Sequence, residues 1–463
     1  MKRIIIVGAG IGGLTAAINL KQQNFDVTLI EASPFMGGLA RSENLGSMSF
    51  DAGPYILLDK PGLEWAFDKL GYDLDSEVPL TRLKEVYQVD KQIRFSSDRD
   101  KTAKSFESTW TGEGKKYLAF VRKTGNIHSK LSPHTYVSKP SPWDIIKSGN
   151  WKLILFLTSS LQSVLDKYNL QHELQKAIGI WTQVAAQTME KAPAPMSLVP
   201  SLIHNQGAYY PEKGMGSIAL FLIEKVKSLG IDILLNTKVT SINRDGKNIK
   251  SVTTENNETL QCDVLLSNMS AIGAYKLMPD LLPKSYRNYI NNLPLQSPGI
   301  CVYLKVKTKP NTNSSYLKFN TTHDNLKSIA FVNPGTLSNS EEYRQARLVA
   351  PLDYDLADKL SDDQQLELLD SIINEEWWRD DILDFEVVHK RTSRDWGKTF
   401  HLYKNSMNPV MTASFMRKGR IPHKSKHANN LFFCGSSTHP GQWVSFAAIS
   451  GILSSNLIVR EHG

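Results

Sequence analysis

Arg3-Ile4-Ile5-Ile6-Val7-Gly8-Ala9-Gly10-Ile11-Gly12-Gly13 is the stretch on which the fold turns. Its β-branched run over residues 3–7 predicts a strand buried on both faces. Gly8, Gly10 and Gly13 then satisfy the spacing G-x-G-x-x-G. In that pattern the first glycine permits a tight turn and the second lets the backbone approach a pyrophosphate. The third lets helix and strand pack closely. Leu14, Ala17 and Ile18 at helical spacing predict a helix, closed by Leu20 and the polar Lys21-Gln22-Gln23. The free N–H groups and positive dipole end of such a helix suit phosphate oxygens. Phe25 to Ile30 reads as a second strand, and Glu31 stands at its end, where a carboxylate accepts hydrogen bonds from ribose hydroxyls. Together these features predict a Rossmann-type βαβ unit on a parallel sheet. The acid disfavours a 2′-phosphate and hence NADP.

The rest of the chain bounds what surrounds that unit. With 463 residues it is too long for one core, so two packed domains are expected. Its 41% hydrophobic and 22% charged content is that of an ordinary globular protein. No apolar run approaches the ~18 residues of a membrane span. The N-terminal apolar run is too short for a signal peptide and ends in a glycine turn. Cys262, Cys301 and Cys434 form no CxxC pair and sit in apolar stretches, which reads as buried thiols in a reducing cytoplasm. The N-x-[ST] triplets at Asn313 and Asn320 carry no weight without a signal peptide. Between Arg82 and Lys152 stand 15 Lys/Arg against 7 Asp/Glu, in a chain of net charge +8. That excess fits either lipid headgroups or a solvated helical face. No RNP-like motif, zinc spacing or basic heptad accompanies it, so no nucleic acid is expected.

Patterning divides the chain into alternating parts. Residues 1–80 are expected to open the dinucleotide domain, 201–270 to continue it and 416–463 to close it. A mainly helical, membrane-facing region is expected over 81–200, and a substrate domain of sheet and helices over 271–415. A helix is predicted from Ser217, and strands at Asp232–Leu235, Val239–Ile242, Ile249–Val252, Val264–Leu266 and Ile300–Val306. A polar loop is expected over Lys307–Lys327. Leu431-Phe432-Phe433-Cys434 predicts a last strand before a glycine turn and a closing helix.

Three further segments make the pattern specific. Glu31-Ala32-Ser33-Pro34-Phe35-Met36-Gly37-Gly38-Leu39-Ala40-Arg41 places a diglycine after the acid, and Phe50-Asp51-Ala52-Gly53-Pro54 follows. Tyr209-Tyr210-Pro211-Glu212-Lys213-Gly214-Met215-Gly216 precedes a helix, with Ala192-Pro193-Ala194-Pro195 upstream. Asn430-Leu431-Phe432-Phe433-Cys434-Gly435 leads to Thr438-His439-Pro440-Gly441. These resemble the Y-P-x-G-G-M, A-P-A and N-L-Y-x-x-G…T-H-P-G segments of the phytoene (carotenoid) desaturase family within the amine-oxidase-like flavoproteins. The resemblance runs nearly the whole length and implies FAD extended between the two chain ends. It implies Gly8, Gly10, Gly13 and Glu31 at the ADP half, and Gly38 and Arg41 near the pyrophosphate. Gly53 and Pro54 are expected near the isoalloxazine, and Val239 at the adenine. Gly435 and the amides around Trp443 and Val444 are expected at the ribityl chain and the N1–C2=O edge. Ile11, Gly12, Ala32, Leu39 and Ser436 complete the expected cofactor contacts.

Three departures stand out: Leu39 where the family commonly has arginine, Lys213 where it has glycine, and Gln442-Trp443-Val444-Ser445-Phe446 where it is glycine-rich. No catalytic residue is singled out. His439 reads as a structural hydrogen-bonding group, Cys434 as an inert thiol and Glu190-Lys191 as an exposed pair. Trp443 fits a cavity wall or the core equally. The cluster of Trp143, Trp151 and Leu153–Leu157 fits either a membrane-facing entrance or a helix core. The resemblance implies hydride transfer from an apolar isoprenoid to flavin, with oxygen or a quinone as acceptor, since no second dinucleotide loop is present. Alternatives are oxidation of an amine, porphyrinogen or pigment precursor, isomerisation of a polyene, and a structural flavin in a biosynthetic complex. Cytoplasmic location with peripheral membrane association follows from the first reading.

Overall fold

The computed structural model describes residues 1–147, 149–309, 315–321, 328–331 (backbone only) and 343–463. The opening strand Arg3–Val7 lies at the centre of a five-stranded sheet in which every pairing is parallel. Across it the order is Leu431–Phe433, Val264–Ser267, Arg3–Val7, Asp26–Ile30 and Asp232–Leu234. Strands from the start, middle and end of the chain thus meet in one sheet. The β-branched run predicted this burial: Ile4, Ile5 and Ile6 are at most 1% exposed.

Helices cover the sheet. The helix Ile11–Gln22 packs along the closing helix Val444–His462, and small residues at the contact let them approach. A methyl on Gly451 would collide with the Gly12 carbonyl oxygen. Buried Asn19 bridges the pair, donating to Ser455 Oγ at 2.7 Å and Asn456 Oδ1 at 3.0 Å. A three-stranded antiparallel sheet, Val239–Asp245, Asn248–Thr254 and Thr259–Gln261, lies beside the central one. Its Ile242, Ile249 and Val252 share a hydrophobic core with Ile5 and Leu265.

The second large sheet has seven strands, in the order Ile382–Arg391, Ile300–Thr308, Arg344–Ala350, Ser328–Phe331, Leu317–Asn320, Glu85–Val89 and Ile93–Ser96. All its neighbours are antiparallel except Leu317–Asn320 beside Glu85–Val89. Two corrections to the sequence reading arise here. The segment expected to be mainly helical from residue 81 opens with strands, because Glu85–Val89 and Ile93–Ser96 carry β-branched and aromatic residues that complete this sheet. Tyr87 stacks on Phe95 with centroids 4.1 Å apart. Helices begin only at Arg99. The expected polar loop over 307–327 contains the buried strand Leu317–Asn320, while 310–314 and 322–327, with the triplet at Asn313, lie outside the described residues.

The apolar stretch from Trp151 divides into the short helices Lys152–Leu157 and Leu161–Leu165, preceded by Pro142–Lys147. All three cysteines are buried and free. Among the described residues no helix is long and apolar enough to cross a membrane.

Candidate flavin site

The glycine turn after the first strand is closed by backbone geometry. Gly8 adopts φ +102°, a region open to glycine, and its N–H donates to Ile30 O at 2.8 Å. A methyl on Gly13 would run into the Gly8 carbonyl oxygen, which explains the third glycine of the pattern. Gly10 is the N-cap of the first helix, and Ile11 is its first residue. No side chain caps that helix, and its first turn carries no acid. Its leading N–H groups are therefore left for an anion.

Glu31 is held at the end of the second strand. Its Oε2 accepts from Ala9 N–H at 2.8 Å and its Oε1 from Ser33 N–H at 2.9 Å. The carboxylate thereby fastens the glycine turn and keeps lone pairs for further donors. Ala32 follows it, half-buried. Thr237 N–H donates to Glu31 O at 2.9 Å, which brings buried Val239 to the same edge.

The diglycine lies on the turn itself. Gly37 N–H donates to Ala9 O at 2.8 Å, and Gly38 lies against Gly10. Leu39 O touches the position of Gly53, so that segment closes on the 51–54 turn. Arg41 is buried, and its guanidinium is engaged by Glu43 at 3.0 Å. Arg391, from the end of the seven-stranded sheet, reaches the other oxygen of Glu43 at 2.7 Å. One carboxylate, on the short strand Ser42–Leu45, thus ties the segment after the diglycine to the seven-stranded sheet through two arginines.

The Gly53–Pro54 turn is pinned from the second sheet as well. Buried Arg347 donates to Ala52 O, and to Gly53 O at 2.7 Å. Asp51 accepts from Tyr210 Oη at 2.5 Å and from Gly216 N–H at 3.2 Å. Burial, and then the Asp51 charge, push the Tyr210 hydroxyl well above its ordinary range. Tyr316 donates to Tyr55 O at 2.8 Å, and burial raises both of these tyrosines. All three phenols stay protonated at neutral pH.

The last strand supplies the other wall. Gly435 adopts φ +80° and its N–H donates to Ser450 Oγ of the closing helix at 3.0 Å. A methyl on Gly12 would stand 2.8 Å from Gly435 N, so the two glycine turns touch. Ser436 Oγ accepts from Asn408 Nδ2 at 2.5 Å. Val444 begins the closing helix after Trp443, and this helix too lacks a side-chain cap or a first-turn acid. Both helices therefore start uncapped, and Gly451, two turns into the closing helix, packs against Gly12 of the first. Trp443 stacks on Phe446, centroids 4.9 Å apart. His439 Nε2 lies 2.9 Å from His134 O, and His423 Nδ1 lies 3.1 Å from Ser138 O. Burial pulls His439 down to about 4 and lowers His423, so neutral imidazoles tie residues 134–138 to the turn.

Sequence reasoning missed Asn268. Its Nδ2 donates to Gly8 O at 3.1 Å, and a methyl on Gly12 would stand 2.7 Å from its Oδ1. A lone polar side chain just past the buried run 264–267 was the available signal. Arg347 carried none, because its partners are distant in sequence, and neither did the pairing of Glu43 with Arg391, 348 residues on.

The residues present fit a dinucleotide flavin. The first helix start is uncapped, its glycine turn touches Gly435 and leaves room for pyrophosphate, a carboxylate sits at the second strand, and the closing helix starts without a cap as well. Fold and site define an FAD-dependent oxidoreductase. The chain belongs to the flavin containing amine oxidoreductase family, whose model matches residues 11–459. It is 24% identical to a 4,4'-diapophytoene desaturase (4,4'-diapolycopene-forming) of Methylomonas sp, over 100% of this chain and 96% of the relative. It is 22% identical to a 4,4'-diapolycopene oxygenase of Methylomonas sp, over 99% and 98%. Among solved structures, putrescine oxidase bound to putrescine shares the fold at TM-score 0.67 and 15% identity, with 99% of each chain covered.

Proposed function

We propose that this enzyme desaturates a linear, apolar isoprenoid chain that it takes from a membrane surface. The observation that carries the reading is an exposed apolar patch on the segment tied to the flavin-side turn. Trp143 is 69% exposed, Trp151 54% and Leu155 58%, with Val137 and Ile146 beside them in the sequence. Exposed Lys139, Lys147 and Lys152 alternate with these residues. Tryptophan and lysine in this mixture suit the boundary between headgroups and acyl chains. His439 and His423 fasten residues 134–138, at the start of that segment, to the flavin-side turn. Relatives named for carotenoid desaturation and oxygenation support the same substrate class.

We assign Gly8, Gly10, Ile11, Gly12, Gly13, Glu31, Ala32 and Val239 to the ADP half of FAD. Gly38, Leu39, Gly435 and Ser436 are assigned to the pyrophosphate and ribityl chain, and Gly53, Pro54 and Val444 to the ring. Arg41 acts there through Glu43, which fixes the segment after the diglycine. Residues 1–80, 201–270 and 416–463 form the flavin part, and 81–200 and 271–415 the substrate part. Bound FAD supplies a two-electron acceptor for hydride from the substrate. The chain's own residues position and desolvate. Arg347 and Asp51 hold the 51–54 turn rigid, Trp443 and Phe446 exclude water, and the uncapped closing helix favours negative charge at its start. Electrons leave to oxygen or a quinone.

Turnover of a linear polyene presented in phospholipid vesicles, followed by chromatography of the products, tests this reading. Products with additional conjugated double bonds are expected. Turnover confined to soluble amines would overturn it.

A further inference from the structure

We propose that Arg420 faces the bound flavin and balances the negative charge that two-electron reduction places on its N1–C2=O edge. The proposal rests on the FAD assignment above. Ile421 bridges to Thr438 in parallel, which sets Arg420 beside the turn leading into the closing helix. Its Nη2 would stand 3.0 Å from a methyl on Gly441, and Phe446 Cδ2 would stand 3.2 Å from the same methyl. The guanidinium therefore sits two residues ahead of Trp443, the N-cap of that helix.

The surroundings of this cation are unusual. Arg420 makes no hydrogen bond or ion pair to any described residue. Burial alone acts on it, lowering it to about 10, and no carboxylate holds it up. It is still charged at neutral pH, and its charge helps keep His439 neutral. Arg41 and Arg391, by contrast, share Glu43. Arg420 is half-buried, and a partly desolvated guanidinium with no anion from the described residues draws its counter-charge from outside the chain. The turn it touches runs into the uncapped closing helix, whose start already favours an anion. The charge balance is simple. Hydride carries two electrons and one proton from the substrate carbon to the flavin, and a second substrate proton leaves to solvent. The reduced ring, unprotonated at N1, then holds one negative charge, which Arg420 matches.

The test compares Arg420→Gln and Arg420→Lys holoenzymes by the affinity of oxidised FAD and the midpoint potential of the bound flavin. Arg420→Gln is expected to bind oxidised FAD as the wild type does but reduced FAD about tenfold more weakly. That equals a fall of about 30 mV in a two-electron potential. Arg420→Lys, which keeps the charge, should recover most of the difference. An FAD-loaded Arg420→Gln protein with the wild-type potential would overturn the proposal. Should that variant not fold, the wild-type holoenzyme decides. Its anaerobically reduced spectrum is expected to keep the N1-deprotonated form to about pH 5.5, because an adjacent cation favours the charged form. Protonation at the value of free reduced flavin would overturn the role. A wild-type protein that takes up no FAD would instead sink the cofactor assignment, and this role with it.

Discussion

Replacing Trp143 and Trp151 together by serine removes the two largest exposed apolar side chains of the proposed membrane face. A tryptophan offers roughly 250 Å² of surface to bury. At 69% and 54% exposure, the pair presents roughly 300 Å² to solvent, worth about 7 kcal/mol if wholly transferred to hydrocarbon. Rings lying at the headgroup boundary realise about half of that, roughly 4 kcal/mol. The double variant should therefore partition between two and three orders of magnitude more weakly onto vesicles, at about 1.4 kcal/mol per tenfold. Lys139, Lys147 and Lys152 add about 1 kcal/mol each on anionic lipid, a part that salt screens. Cosedimentation with neutral and anionic vesicles, at low and high salt, separates the two contributions. Both indoles point outward, so flavin absorbance and thermal midpoint should be unchanged. Equal partitioning of wild type and variant would show that these indoles do not enter the membrane, and a wild type that ignores vesicles of either composition would rule out the membrane face altogether.

Other consequences follow from the buried charges and the glycine turns. Glu43→Gln leaves Arg41 and Arg391 without their shared carboxylate and should cost about 3–5 kcal/mol in urea unfolding, the range for one partner lost from a buried pair. A loss below about 1 kcal/mol, typical of a surface pair, would show that the bridge is solvated. Gly13→Ala drives a methyl into the Gly8 carbonyl and should yield folded protein that binds FAD at least about tenfold more weakly, with a helical far-UV spectrum retained. Unchanged FAD affinity would remove the turn from the cofactor site. Acid should destabilise the fold through His204 and His439, both lowered to about 4 by burial. A folded pKa below the unfolded value means that protons prefer the unfolded chain. Stability is thus complete above about pH 6.5 and is lost as pH falls toward 4, by roughly 2 kcal/mol per histidine at pH 5. A thermal midpoint flat from pH 7 to 5 would contradict this.

The sequence was most informative where a residue's role is local. The strand, glycine turn, helix and acid from Arg3 to Glu31 are contiguous, and each step is set by φ/ψ or periodicity, so that unit was legible outright. The closing strand and helix were equally plain. The seven-stranded sheet was not. Its strands Glu85–Val89 and Leu317–Asn320 pair across more than two hundred residues, and each is short enough to pass for loop beside basic or polar neighbours. The ties that hold the site share this character. Glu43 meets Arg391 and Arg347 meets Gly53 only because the 42–54 segment packs on the seven-stranded sheet. Nothing near Arg347 in sequence marks it, and Arg41 beside Glu43 says nothing of Arg391. Arg41 shows a mixed case: its place after the diglycine suggests a phosphate, and the fold adds Glu43 as a partner that the sequence did not single out.

FAD in this cradle takes hydride from an apolar isoprenoid. Anaerobic mixing of the FAD-loaded enzyme with a lipid-dispersed linear polyene, with flavin absorbance and substrate mass followed together, tests it most directly. The flavin is expected to bleach, with one substrate molecule losing two hydrogens for each flavin reduced. A flavin that stays oxidised with every polyene, yet bleaches with a primary amine, would contradict it.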